Sequence, residues 1–552
     1  MIPRGSTARV ALAVAALVCV LVRFGVADAA PSSVSDNART ITVSLPGPFN
    51  GCTYFDAGAN ATSNAVLDLL RPSAFLTTTN GNLVGEGGPL ASAELTSLAP
   101  ETVVYSITPH QHWSNGAAFD GRDLMAWWLR ARVLASVQSD GYRAIKTLTL
   151  SEHALRVTAV FATPFADWNL LFRDVEARGT LGGCALSNLT SRPSLGPYSV
   201  TNATSSRIVL ALNPTWPNDP NRFGRVILTT SGTIPSGTTT PFASYSLVVD
   251  RAQEQALSAH PSVLSHIGTS SNIEEITFAP QSPLTRSLAV REALSWSLNR
   301  QALINQLFGA VTFSPSIAAS AIFSQGQSAY PGFNGGGPTT QTTTTTLPSS
   351  TGTVPSLTDC RTCAFNVLRA ATFRHTPSGW VNADGGLLTL RLAVGPSAID
   401  VSTAALVVAQ WRQAGIGATT VTARSDVAAA QLAAANVVDV AIFARPTITA
   451  PSYIARSWSG PAYTDTFPSG VRSSSINAFF TSAVHNFNPV AANATWLMLD
   501  QSIMTSFWVR PLFTSPSLVE WASSLNGVLG SLSVSGFLDQ ETNWNTVSVS
   551  HS

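Results

Sequence analysis

Charge is scarce in this chain. Only 11% of its 552 residues are Asp, Glu, Lys or Arg, and the net charge is +1. That balance suits neither a nucleic-acid backbone nor an anionic surface. Lysine is almost missing, Lys146 being the single one. A Schiff-base lysine, a phosphate-loop lysine and a Ser-x-x-Lys hydrolase are therefore nearly excluded. There is also no G-x-S-x-G elbow, no H-E-x-x-H helix and no phosphate loop, so the usual anchors of hydrolytic and nucleotide chemistry are absent. No enzymatic activity, cofactor or metal is expected. His110 and His112 share a strand face, but no third ligand stands near them in sequence.

What is present begins with an export signal. Arg4 and Arg9 precede an unbroken apolar run over residues 10–22, and Ala27-Asp28-Ala29 is a small-x-small cleavage site. The run is short for a membrane span and ends at Arg23. Residues 1–29 therefore read as a signal peptide, with a retained anchor as the alternative. Cys19 lacks the Gly or Ala before it that a lipobox needs, since Val18 stands there. Four cysteines remain: Cys52, Cys184, Cys360 and Cys363. An even number in an oxidising compartment suggests two disulfides. Three pairings are possible. Cys52 with Cys184 and Cys360 with Cys363 is favoured, because the second pair lies in one short segment. The rival reading of Cys360-x-x-Cys363 is a redox motif or half a zinc site.

Strands are expected over 40–45, 103–107, 144–150 with 155–161 as a hairpin, 196–200 and 208–212. A short helix is expected through Phe172. Further on come a strand over 273–279, an amphipathic helix over 288–300, and helices over 364–373, 401–414 and 496–507. Gly415 suits the left-handed position that closes a helix. Residues 416–423 and 437–443 read as buried strands, and with 387–394 they give a βαβ rhythm and a parallel component. A strand over 509–514 leads to a turn at 524–528. Residues 334–356 are rich in Gly, Thr and Pro without an apolar period, which reads as a mobile surface loop.

The most informative stretch is His112-Trp113-Ser114-Asn115-Gly116-Ala117-Ala118-Phe119-Asp120-Gly121-Arg122-Asp123. Asn115-Gly116 is a strong turn signal. Asp120 sits where a helix N-cap belongs, with Asp123 three residues on. The block resembles the W-S-[DN]-G-x-x-[hydrophobic]-x-x-x-D signature of family 5 extracellular solute-binding proteins, the peptide- and nickel-type receptors of bacterial ABC importers. The segment Pro164-Phe165-Ala166-Asp167-Trp168, the strand opening Gly196-Pro197-Tyr198, the turn Asn213-Pro214-x-Trp216 and the helix Val290-Arg291-Glu292-Ala293-Leu294 resemble further family motifs in the family's order.

This resemblance implies an α/β, two-lobed periplasmic-binding-protein-like fold of type II, the large peptide-binding class, with a ligand cleft between lobes. Residues 30–280 would form lobe I, 281–508 lobe II, and 509–552 would return to lobe I. Crossings near Ala279 and Arg510 would form a hinge. The implied function is an exported receptor, periplasmic or on the outer side of the membrane. It would capture an oligopeptide or other small polar solute by lobe closure and pass it to ABC permease subunits. A monomer without nucleic-acid partners is expected. The alternative is a transport-inactive relative acting as an envelope regulator or scaffold.

One departure bears on the ligand. Peptide receptors of the family carry an Asp for the peptide amino terminus in the segment that here reads Asp439 to Pro451. No carboxylate stands near Ile448 or Thr449, and Arg445 replaces the usual Trp. Arg445 therefore becomes a candidate for a carboxylate, phosphate or sugar hydroxyl, with an intraprotein ion pair as the competing reading. Phe443, Trp458, Phe49, Asn50 and Tyr54 are further candidates, at loops or strand ends that face the cleft in this family.

Overall fold

The computed structural model describes residues 40–546, except 54–59, 182–184, 218–221, 231–240, 248–261, 326–329, 331–358, 448–450, 460–466 and a few single positions. Residues 1–29, expected to be a signal peptide, and Cys52, Tyr54, Cys184 and the stretch 334–356 lie outside the described residues.

The N-terminal half contributes β1 (Thr40–Ser44), β2 (Leu90–Leu98), β3 (Glu101–Ile107), α1 (Gly121–Ala131), α2 (Ser139–Ala144), β4 (Ile145–Ser151) and β5 (Arg156–Phe161). Next come β6 (Tyr198–Ala203), β7 (Arg207–Leu212), β8 (Arg225–Thr229), β9 (Phe242–Ser246) and the long β10 (Val263–Phe278). Then follow α3 (Leu288–Trp296), α4 (Arg300–Phe308), α5 (Arg361–Ala370), β11 (Thr389–Val394), α6 (Ala398–Gln413), β12 (Gly417–Thr422) and α7 (Asp426–Ala434). Toward the C-terminus come β13 (Val440–Pro446), α8 (Pro451–Ala455), α9 (Ser474–Val484), α10 (Pro489–Thr505) and the second long strand, β14 (Val509–Ala522), with a short helix over Val534–Leu538 after it.

Two sheets organise these pieces. The large one has ten strands in the order β12-β11-β13-β10-β14-β9-β1-β8-β7-β6. Its middle is the antiparallel pair β10 and β14, which runs from Val263 opposite Ala522 to Thr277 opposite Val509 with register shifts between Thr269 and Ile273 and between Glu274 and Glu275. On one side of that pair, β11 runs parallel to both β12 and β13, as the βαβ rhythm demands. The helices α3 to α6 bury Leu294, Leu303, Leu368, Val407 and Trp411 against this part. On the other side, β1 is parallel to β8 and β9. The small sheet has the order β2-β3-β5-β4. Lys146 is exposed on its edge strand β4.

The block around Trp113 folds as its residues dictate. Gly116 takes φ +82°, open to glycine and strained for others. Asp120 and Asp123 form a capping box at the start of α1, which satisfies backbone N–H groups that have no partner within the helix. Arg178 pairs with both carboxylates. Trp127 and Trp128 on α1 are buried, and their indole N–H groups donate to the Tyr142 hydroxyl and carbonyl, each at 3.1 Å.

Several expectations need correction. The helix expected through Phe172 is a single 3-10 turn, Trp168–Leu170, because Phe172 and Asp174 take φ of 55° and 51°. The helix expected over 288–300 breaks into α3 and α4, with Asn299 capping the second. The strand expected to be buried at 416–423 is the exposed edge strand β12. Strands β10 and β14 are about twice as long as their apolar segments suggest, since Ser- and Thr-rich backbone extends the pairing.

Candidate functional site

Three of the nominated residues meet, around a buried ion pair. Arg445 on β13 is 1% exposed. Its Nε and Nη2 donate to Glu275 Oε1 at 2.9 and 2.6 Å, and Nη1 donates to Ser457 Oγ at 3.0 Å and to the Phe467 carbonyl at 3.2 Å. Its guanidinium carbon lies 5.2 to 5.5 Å from the ring centroids of Phe443, Trp458 and Phe467. Burial pushes the Glu275 carboxyl up, and Arg445 opposes that shift. The intraprotein pair, the competing reading for Arg445, is thus the one realised: its fork is spent on Glu275. Phe443 and Trp458 are sealed walls of the same box, and Phe49 is 1% exposed in the core beneath β1. Asn50 is exposed, and its backbone N–H donates to Ser63 Oγ at 3.0 Å.

Other charged candidates are likewise engaged. Arg291 lies 3.6 Å over the Trp508 ring and donates to the carbonyls of Ser506, Thr285 and Arg286. It ties α3 to the start of β14, a scaffold contact. Arg300 pairs with Asp359. Asp439 accepts from Ser282 Oγ at 2.6 Å and the Arg391 N–H at 2.7 Å. His112 Nδ1 lies 2.9 Å from the His110 carbonyl. Among the described residues, no group of three or more His, Cys, Asp or Glu is placed to hold a metal ion. Cys360 and Cys363 form a disulfide at the start of α5.

A cavity of about 410 Å³ opens elsewhere, where the small-sheet region meets the C-terminal helices. Asp140 and Ala144 of α2 and Thr163-Pro164-Phe165 after β5 form one wall. Ser452 and Tyr453 of α8, the following Arg456 and Ser459, and Asn477, Phe480, Thr481 and Val484 of α9 with His485 form the other. Polar contacts between described residues join the walls. Arg456 Nε donates to Asp140 Oδ2 at 2.5 Å, with Nη2 on the same oxygen, and the Ala166 N–H donates to the Val484 carbonyl at 2.7 Å.

The electrostatics are uneven. Asp140 also receives Arg143, so two guanidiniums share one carboxylate. The Arg456 guanidinium lies 4.4 Å over the Phe480 ring, a cation–π contact. Burial pushes the Tyr453 phenol well up, keeping it a proton donor, and lowers the His485 imidazole. Glu101 holds Phe165 from behind by accepting its N–H at 2.5 Å, and burial pushes that carboxyl up to about 8. Sequence reasoning missed this site because Asp140 and Arg456 are 316 residues apart and neither stands in a motif. The hints were Pro164-Phe165, part of a segment that resembles a family motif, and Pro451, which opens α8.

A family model described as bacterial extracellular solute-binding proteins, family 5 Middle, matches residues 90–465. The chain belongs to this family. It is 28% identical over 209 residues to the oligopeptide-binding protein OppA of Mycobacterium tuberculosis, covering 34% of each chain. It is 27% identical over 184 residues to the probable monoacyl phosphatidylinositol tetramannoside-binding protein LpqW of the same species, 30% of this chain and 29% of that one. These matches span about a third of the relatives' length.

Solved structures cover far more of the chain. The periplasmic EDTA-binding protein EppA aligns with TM-score 0.77 at 18% identity, over 92% of this chain and 97% of its own. The oligopeptide-binding protein AppA of Bacillus subtilis, in complex with a nonapeptide, aligns with TM-score 0.70 at 13% identity, over 92% and 99%. The fold is therefore that of two-lobed α/β periplasmic binding proteins, and the family is extracytoplasmic. No described helix is long and apolar enough to cross a membrane.

Proposed function

We propose that this chain is an extracytoplasmic receptor that captures a small polar solute by lobe closure and presents it to an ABC importer. Lobe I would comprise 30–280 with 509–552 and lobe II 281–508, and the protein would act as an exported monomer, without a cofactor and without altering its guest. The observation that carries this reading is the cavity walled by α2 and Phe165 on one side and α8 and α9 on the other. A guest touching both walls interacts better with the closed arrangement, which is what drives closure. About 410 Å³ lies at the small end of the usual ~300–1,000 Å³ for ligand sites. That favours a compact solute over an extended oligopeptide in this arrangement. The names of OppA and LpqW add peptides and a glycolipid headgroup to the classes worth screening.

The test is a melting-temperature screen of the purified protein against short peptides, sugars, organic anions and lipid headgroups. A ligand of the native state at 100 times its Kd stabilises it by about 2.7 kcal/mol. One class should raise the transition, saturably. Absence of any shift, together with capture of an envelope enzyme in a pull-down, would overturn the receptor reading in favour of the scaffold.

A further inference from the structure

The cavity's chemistry narrows the guest. Its charged groups are Asp140 and Arg456 on facing walls, with Arg143 beside Asp140 and His485 as a lining residue. Two guanidiniums share Asp140, and the buried Asp167 carboxyl, pushed up by burial, lies behind the lining residue Ser452. The Arg456 fork lines the cavity with Nε and Nη2 on Asp140 and Nη1 3.4 Å from the Ser459 carbonyl, so a guest carboxylate, whose shape fits that planar pair of donors, has to displace Asp140 from it. Asp140 does not depend on Arg456, since Arg143 also holds it. Arg143 is itself anchored on the Leu134 and Ser136 carbonyls at 2.9 and 3.3 Å. Arg456 can therefore exchange Asp140 for an incoming anion without stranding a buried charge, which is the step that makes most ion pairs costly to open.

The remaining surface is mixed, with the hydroxyl-bearing Thr163, Ser452, Tyr453, Ser459 and Thr481 beside an apolar patch. Phe165, Phe480, Pro164 and Val484 line that patch, and both phenylalanines are buried. Asn477 accepts the Ser459 hydroxyl on Oδ1 at 2.6 Å, so what it has left to offer a guest is N–H.

We propose that this cavity binds a compact amphiphilic carboxylate: an anionic head on Arg456 and Asn477, and an apolar or aromatic body between Phe165 and Phe480. This rests on the receptor reading above and names the solute class for it. The head comes from a free organic acid or from the carboxyl end of a short peptide. Because Arg456 belongs to the C-terminal side and Asp140 to the small-sheet side, the guest also takes over the contact that joins the two walls.

Calorimetric titration of the intact protein separates these sources. The probes are 3-phenylpropionate against 3-phenylpropionamide, and Gly-Phe against its C-terminal amide. Each acid should bind about 10- to 100-fold more tightly than its neutral amide, the value of one charge-assisted contact. Whichever pair shows the larger ratio identifies the source. R456M should erase the ratio while R456K retains part of it. N477D, at an exposed position, adds a carboxylate to the cavity and should weaken the acids about 10-fold by repulsion and by competition for Arg456, so it serves even where R456M misfolds. Equal binding of acid and amide, or acid binding untouched by both N477D and R456M, would overturn the proposal. If neutral sugars or amines bind while the acids do not, the receptor reading survives and this one falls. If no solute of any class binds, both fall.

Discussion

Arg445 shows how a single residue type misleads. A guanidinium at the end of a buried strand suggested a solute contact, yet its partner was already in the sequence. Glu274 and Glu275 stand side by side in a strand otherwise read as apolar, and two carboxylates there require protons or cations. The expected outcome of R445L is a loss of about 3–5 kcal/mol in guanidinium unfolding, because Glu275 is left unpaired in the interior. The double variant R445L/E275L should recover most of it. Solute affinity measured by calorimetry should be the same in the double variant and the parent. Two further carboxyls carry protons into the neutral range: burial pushes both Glu101 and Asp426 up to about 8, with Asp400 adding to the shift at Asp426. In the unfolded chain they titrate near about 4. The native state then holds the extra protons, so their contribution is full below about 4 and is lost as pH rises through 8. The melting temperature should fall from about pH 4 to about pH 8 and level off above it. E101Q and D426N should each flatten that fall; a fall unchanged in both would refute the assignment.

At the scale of elements, the sequence was most legible where chemistry is local. The hairpin of β4 and β5, the turn at Gly116, the cap of α1 and the left-handed closure of α6 at Gly415, φ +79°, were each read from a few neighbouring residues. The buried Glu274 and the caps of α6 and α7 were not, because they depend on one another across space. A Cβ on Gly395 would lie 2.2 Å from Asp426 Oδ1 and 2.5 Å from Asp400 Oδ2, so this glycine is where two helix starts converge. The cap of α1 gives a sharper test. D120A removes a capping oxygen and a partner of Arg178, which should cost about 1–2 kcal/mol, measured by urea unfolding. D120N keeps the cap and should lose less than half of that.

For the whole molecule, the resemblance supplied what periodicity could not: a sheet shared by both ends of the chain, with β10 and β14 at its centre. The cavity lay beyond reach because its walls come together only after folding. One apolar cluster runs from Tyr105 and Trp127 at the small sheet through Trp458 to Phe480 and Trp496 on α9 and α10. A continuous core of that kind couples the parts energetically. Calorimetric melting should give one endotherm, and amide exchange should be slowest in β10 and β14. Two well-separated endotherms would show that the parts melt independently.

The near-absence of lysine has a practical consequence. Amine-reactive dyes find one side chain in the whole sequence, Lys146, projecting from the rim of the small sheet within a few residues of Asp140. A fluorophore attached there reports opening and shutting through its own emission, with no engineered cysteine required.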